Sequence, residues 1–190
     1  MPRKRRLLRR ECSGCPMPRC LLPSGRCRLR ALPCGESLRR LRPNVMKSEA
    51  AFWDTSALVP LCCYQEASAA TRGLARRYRR MTVWWGTRVE AYGTLARLHW
   101  HGDLSEAALG EARARLAVLS RSWLELLPVE RVREYAEDLL GRYHIRAADA
   151  LQLAAALAGC HEHPQQRVFV CLDARLGEAA SRVGFQVVGN

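Results

Sequence analysis

Five short apolar runs separated by helix-length stretches constrain this chain more than any other feature. They are Ala50 to Trp53, Thr82 to Trp85, Leu124 to Leu127, Arg167 to Leu172 and Phe185 to Val188, each bounded by turn or cap residues. Runs of this length and composition read as strands. Between them the pattern predicts helices over Ala67 to Arg80, Thr87 to His101, Ser105 to Arg121, Val129 to Tyr143 and Arg146 to Cys160, with a last one over Ala174 to Val183. Leu109, Ala112, Leu116 and Leu119 recur at helical spacing in the third of these. Strands alternating with helices imply an α/β fold with a mainly parallel sheet covered on both faces. No repeat of solenoid period is present.

The pattern begins only near residue 46. Residues 1 to 45 carry 13 Lys and Arg against Glu11 and Glu36, whereas residues 46 to 190 carry 18 basic and 16 acidic residues. The net charge of +13 is therefore concentrated in the first quarter, and it says little about the partners of the remainder. That first quarter shows no strand or helix periodicity, and Pro, Gly, Ser and Arg interrupt every apolar pair, so it reads as a disordered or non-native extension. No apolar stretch of signal-peptide length follows its arginines. Cys12-x-x-Cys15 invites a zinc reading, but no second tight Cys or His pair accompanies it. Met46 reads as the natural start of a single domain spanning 46 to 190, a length that supports one sizeable core.

No segment approaches the roughly 20 apolar residues of a membrane helix. Cys62, Cys63, Cys160 and Cys171 lie in or beside apolar runs and read as small buried hydrophobes, which suits a reducing cytoplasm. His99, His101, His161 and His163 sit at helix ends without metal-ligand spacing.

Four carboxylates stand at the edges of apolar elements: Asp54 after the first strand, Glu90 at the start of the helix after the second, Asp149 at the start of the fifth predicted helix, and Asp173 after the fourth strand. Each has a bland explanation. Asp54 and Asp173 suit N-caps. Thr87-Arg88-Val89-Glu90 has the form of a capping box, and Asp149 lies in a first turn, where a carboxylate favours the helix dipole. Against this, Asp149 begins a helix nearly free of other charge, where an uncompensated carboxylate would cost several kcal/mol. Arg146 or a metal ion would compensate it. Carboxylates at strand ends of an open α/β sheet stand where such sheets bind ligands.

The order Phe52-Trp53-Asp54-Thr55-Ser56-Ala57-Leu58, then Val89-Glu90-Ala91, then Ile145-Arg146-Ala147-Ala148-Asp149-Ala150-Leu151-Gln152-Leu153-Ala154, then Leu172-Asp173-Ala174-Arg175-Leu176 resembles the PIN-domain ribonucleases. Within them it is most similar to the VapC-like toxins of type II toxin–antitoxin modules. The likeness covers residues 50 to 190. It implies a three-layer α/β/α fold with a five-stranded parallel sheet, and metal-dependent endonucleolytic hydrolysis of RNA with Mg2+ or Mn2+ as cofactor. By motif, Asp54 and Asp149 would be the central metal ligands, with Glu90 and Asp173 completing the catalytic pocket and Thr55 or Ser56 orienting a ligand water. Cys171 departs from the Thr or Ser of many relatives. The likeness also implies a cognate antitoxin partner and a homodimer.

Arg88, Arg146 and Arg175 lie within three positions of these acids and suit phosphate contact or carboxylate pairing. Arg72, Arg76, Arg77, Arg79 and Arg80 form a basic stripe that reads equally as a solvated face balanced by the acids of Glu130 to Asp138. Leu58 to Tyr64 is expected to expose apolar side chains as an antitoxin groove. Two rival functions remain: a non-catalytic PIN-like module that holds RNA or protein, and a phosphotransfer enzyme with Asp54 as nucleophile. The second needs an acid where Ser56 stands.

Overall fold

A computed structural model describes residues 50–189 of the chain. The readings of residues 1 to 45, the Cys12–Cys15 pair and the start at Met46 lie outside the described residues. The elements run β1 (Ala50–Trp53), α1 (Thr55–Cys62), α2 (Ser68–Arg77), β2 (Arg80–Trp84), α3 (Thr87–Trp100), α4 (Glu106–Leu119) and β3 (Leu124–Leu126). They continue through α5 (Glu130–Arg142), α6 (Ala147–Gly159), β4 (Val168–Val170), α7 (Ala174–Val183) and β5 (Gln186–Val188).

The five strands pair in parallel in the order β3-β2-β1-β4-β5. β1 lies at the centre, and all four of its residues are buried, which is why it shows no polar alternation. Side chains still alternate between faces. Ala51 and Trp53 join a core with residues of α1, α3 and α4, and Phe52 joins the opposite core with residues of α5, α6 and α7. The result is three layers, α/β/α, as the alternation of elements implied. Across the central pair, Phe52 stands opposite Phe169 with their rings stacked at 5.2 Å, and Phe185 closes on Phe169 at 5.6 Å. Burial of each aromatic is worth about 1.5–3 kcal/mol, so this column fixes the β1–β4 register that the acids depend on.

Local chemistry sets the ends of the helices. Ser105 caps α4 by accepting from Ala108 N–H, and α7 stops at Gly184, whose φ of 116° is a left-handed conformation suited to glycine. Ion pairs within α5, Arg133–Glu130 at 3.0 Å and Arg142–Asp138 at 3.0 Å, engage its acids with its own arginines. The stripe of Arg72, Arg76, Arg77, Arg79 and Arg80 is exposed throughout.

Thr55 to Cys62 forms the helix that an N-cap at Asp54 implies, although it is apolar almost throughout and contains Pro60, features that give no helical period. The expected groove needs correction. The Leu58–Tyr64 stretch does not form an exposed apolar surface: Leu58, Val59, Cys62 and Cys63 are core residues, Leu61 is half-buried and only Tyr64 projects. α1 is packed under α3 and α4, whose apolar faces cover it. Half-buried Leu61 lines a hollow of about 520 Å3 with Ala114, Val118 and Leu119. Among the described residues no helix is long and apolar enough to cross a membrane.

Candidate functional site

The chain leaves β1 for β2 and β3 on one side, then returns to β4 and β5 on the other. β1 and β4 therefore meet at the switch point, where successive loops diverge and open a crevice at the carboxyl ends of the strands. Asp54 directly follows β1. Asp173 follows β4 by three residues, Glu90 lies in the first turn of α3, and Asp149 lies in the first turn of α6, which packs against β2.

Asp54 is 5% exposed. Its Oδ2 accepts from Ser56 N–H at 2.8 Å, which makes it the N-cap of α1. Burial pushes its carboxyl up from 3.8 to about 6, with the nearby Glu90 charge adding to the rise and the Ser56 hydrogen bonds opposing it. Among the described residues no cation stands against it. Ser56 also ties the two central loops together, because its hydroxyl oxygen accepts from Leu172 N–H at 2.9 Å. The Cys171 thiol fills the corner between them, 3.8 Å from both Asp54 Oδ2 and Ser56 Oγ. It is buried, and burial followed by the Asp54 charge pushes it far above the ordinary thiol range, so it stays a neutral, weak donor.

Glu90 is not part of a capping box. The N-cap of α3 is Gly86, which places Thr87 inside the helix as its first residue, fully buried and turned towards α6. The Glu90 carboxylate points into a buried network instead. Its Oε2 accepts from the Thr55 hydroxyl at 2.7 Å and from Gln152 Nε2 at 2.7 Å. Gln152 Nε2 also donates to Thr55 Oγ1 at 2.8 Å, and the Thr87 hydroxyl donates to Gln152 Oε1 at 3.3 Å. The amide spends both hydrogens and one acceptor within three helices, so its own hydrogen bonds are met by protein.

Asp149 and Asp173 are held more simply. Asp149 Oδ2 accepts from Arg146 N–H at 3.2 Å, and Asp173 Oδ1 accepts from Leu176 N–H at 3.0 Å, each serving the start of its own helix. Both are only half-buried. The uncompensated burial expected of Asp149 thus belongs to Asp54, because the first turn of α6 emerges from the core before its apolar stretch begins. Arg146 reaches Asp149 through its backbone, not its guanidinium. Arg88, Arg146 and Arg175 are all exposed, and among the described residues none pairs with a site acid.

The structure thus joins Asp54 and Glu90 through Thr55 and places Asp173 beside them through Ser56 and Cys171. Asp149 shares a helix face with Gln152, one turn further on. Among the described residues no three His, Cys, Asp or Glu side chains stand close enough to form a ligand cluster by themselves. Gln152 was missed by sequence reasoning. Its signal was present: it is the lone polar side chain between Ala150 and Ala158, and it is 1% exposed. No protein-family model matches the chain, and no curated protein matches it.

Proposed function

We propose that the protein is a metal-dependent endoribonuclease that hydrolyses RNA phosphodiester bonds at the edge formed by Asp54, Glu90, Asp149 and Asp173. The observation that carries this reading is Asp54, a carboxylate buried at the sheet's switch point with no cation against it among the described residues. An ionised carboxylate in that position costs several kcal/mol unless a positive charge arrives. The donor chemistry fits a hard divalent ion. All four acids offer oxygen only, and magnesium keeps several waters while taking one or two carboxylates and substrate phosphate. Asp54 and Glu90 would be the principal residues to hold it, with Asp149 and Asp173 completing the acidic edge. When bound, such an ion lowers the pKa of a water and polarises the phosphoryl oxygen.

The chain's own residues do the rest. Thr55 and Gln152 fix the Glu90 carboxylate, and Ser56 N–H fixes Asp54. Exposed Arg88, Arg146 and Arg175 offer phosphate contacts around the acids. The PIN-domain and VapC-like resemblance extends the proposal to the toxin of a toxin–antitoxin pair: a cytoplasmic homodimer held inactive by a cognate antitoxin. Failure to co-purify with the product of an adjacent reading frame would remove that extension alone.

The test of the catalytic reading is incubation of the full chain with RNA in magnesium, manganese or EDTA, beside Asp54→Asn and Glu90→Gln. Metal-dependent cleavage lost in both variants is the expected result. RNA left intact under all conditions overturns it and favours a non-catalytic binding module.

A further inference from the structure

We propose that the recess between the end of α5 and one face of α7 binds a backbone phosphate of single-stranded RNA adjacent to the scissile one, an inference that rests on the nuclease reading above. The recess has a volume of about 310 Å3. Arg142, Tyr143 and His144 line one side, and Arg175, Glu178 and Arg182 line the other. Residues 175, 178 and 182 lie on one face of α7, three and four positions apart, so the helix presents them together.

The charge favours an anion. Three arginines and a histidine face a single acid, Glu178, and that acid is already engaged by Arg182 at 2.6 Å. Arg142 is drawn to Asp138 at 3.0 Å, outside the recess. Both pairs are exposed and therefore worth little, so a phosphate can recruit either guanidinium at small cost. Arg175 is exposed and, among the described residues, pairs with no acid, which leaves all five of its N–H donors available.

Position decides what the anion belongs to. Arg175 follows Asp173 by two residues, and Ile145, also in the lining, precedes Asp149 by four. The recess is therefore bounded by the two segments that deliver these acids, and a strand lying across the acid edge would enter it next. The volume is of the order of one nucleotide. Tyr143, with the Arg142 guanidinium 5.6 Å from its ring centre, adds an aromatic and cationic surface suited to an unstacked base, as single-strand recognition uses.

The experiment measures RNA binding by the full chain carrying Asp54→Asn, in EDTA, across a salt series. The probes are a single-stranded oligoribonucleotide and the same sequence as a duplex. Adding Arg175→Gln should weaken single-strand binding about fivefold at 0.1 M salt and lower the salt slope by about 0.7, the loss of one phosphate contact. Arg79→Gln, which removes the same charge outside the recess, should change neither. Equal effects of the two substitutions, or none from Arg175→Gln, overturn the recess, and an equal loss on the duplex overturns its single-strand preference. Cleavage by the wild-type chain is scored separately. Cleavage without an Arg175 effect sinks only this inference, whereas an Arg175 effect without cleavage sinks the nuclease reading.

Discussion

The four acids divide into two pairs by their surroundings. Asp149 and Asp173 are half-buried, and each spends an oxygen on the first turn of its own helix. Asp54 also caps its own helix, but it does so buried and with its carboxyl raised, and Glu90 is held across the fold: Thr55, 35 residues from it, and Gln152, 62 residues from it, both donate to its carboxylate. A cap is a local device that any stable helix can use. A carboxylate fixed by side chains from two other elements, contributing nothing to its own helix terminus, has its position specified for some other purpose. On the proposed reading, the difference separates acids whose duty is structural from those that also serve the chemistry.

That division can be broken experimentally, starting where the effects are largest. Asp54→Asn and Glu90→Gln should each lower RNA cleavage by about 100-fold or more, since both remove charge from the groups best placed to hold a metal. Cleavage that survived either one would dissolve the distinction. Next is the cost of burying Asp54. Between about pH 4 and pH 6 the unfolded chain has released this proton while the folded protein retains it, so metal-free stability falls as pH rises through that window and is flat above it. The difference is worth about 3 kcal/mol. Denaturant titrations of wild type and Asp54→Asn at pH 4 and 7 should show this slope in the wild type and its absence in the variant.

Gln152→Leu comes third, at a cost of about 2–3 kcal/mol, because it strands the buried Thr87 hydroxyl and takes a donor from half-buried Glu90. Asp149→Ala and Asp173→Ala should cost only about 1 kcal/mol each, with most of that recovered by Asn, which still caps. A melting-temperature series ranks all of these. If Asp173→Ala proved as damaging as Gln152→Leu, the second pair would not be merely local. If Asp173→Asn lost cleavage while keeping stability, its cap and its chemistry would be cleanly separated.

Much of this was legible in the sequence, for reasons that also explain the gaps. Five apolar runs among helical periods specify a parallel sheet, and the layers follow. The elements themselves come out one or two residues shorter at several ends, as at Arg167 to Leu172, where only Val168–Val170 is strand. α1 was legible only through its cap, because a helix buried on nearly all sides carries no period. At the site, the positions of all four acids could be read, but their ranking could not. Thr87 to Glu90 matches a capping box locally, yet Gly86 takes the cap and long-range partners turn both side chains inward. Sequence spacing sees neighbours along the chain, and the Glu90 carboxylate is oriented by neighbours across it.

The β1–β4 pairing has a consequence in time. Asp54 and Cys171, in contact at the site's corner, are 117 residues apart in the chain, and β1 cannot gain its second neighbour until β4 has been made. At roughly 5–20 residues per second, a ribosome carries the finished Asp54 segment for on the order of ten seconds before that strand exists. The acid edge is thus one of the last features completed during synthesis. If the chain cuts RNA as proposed, and only when this edge is whole, it spares the message from which it is being read.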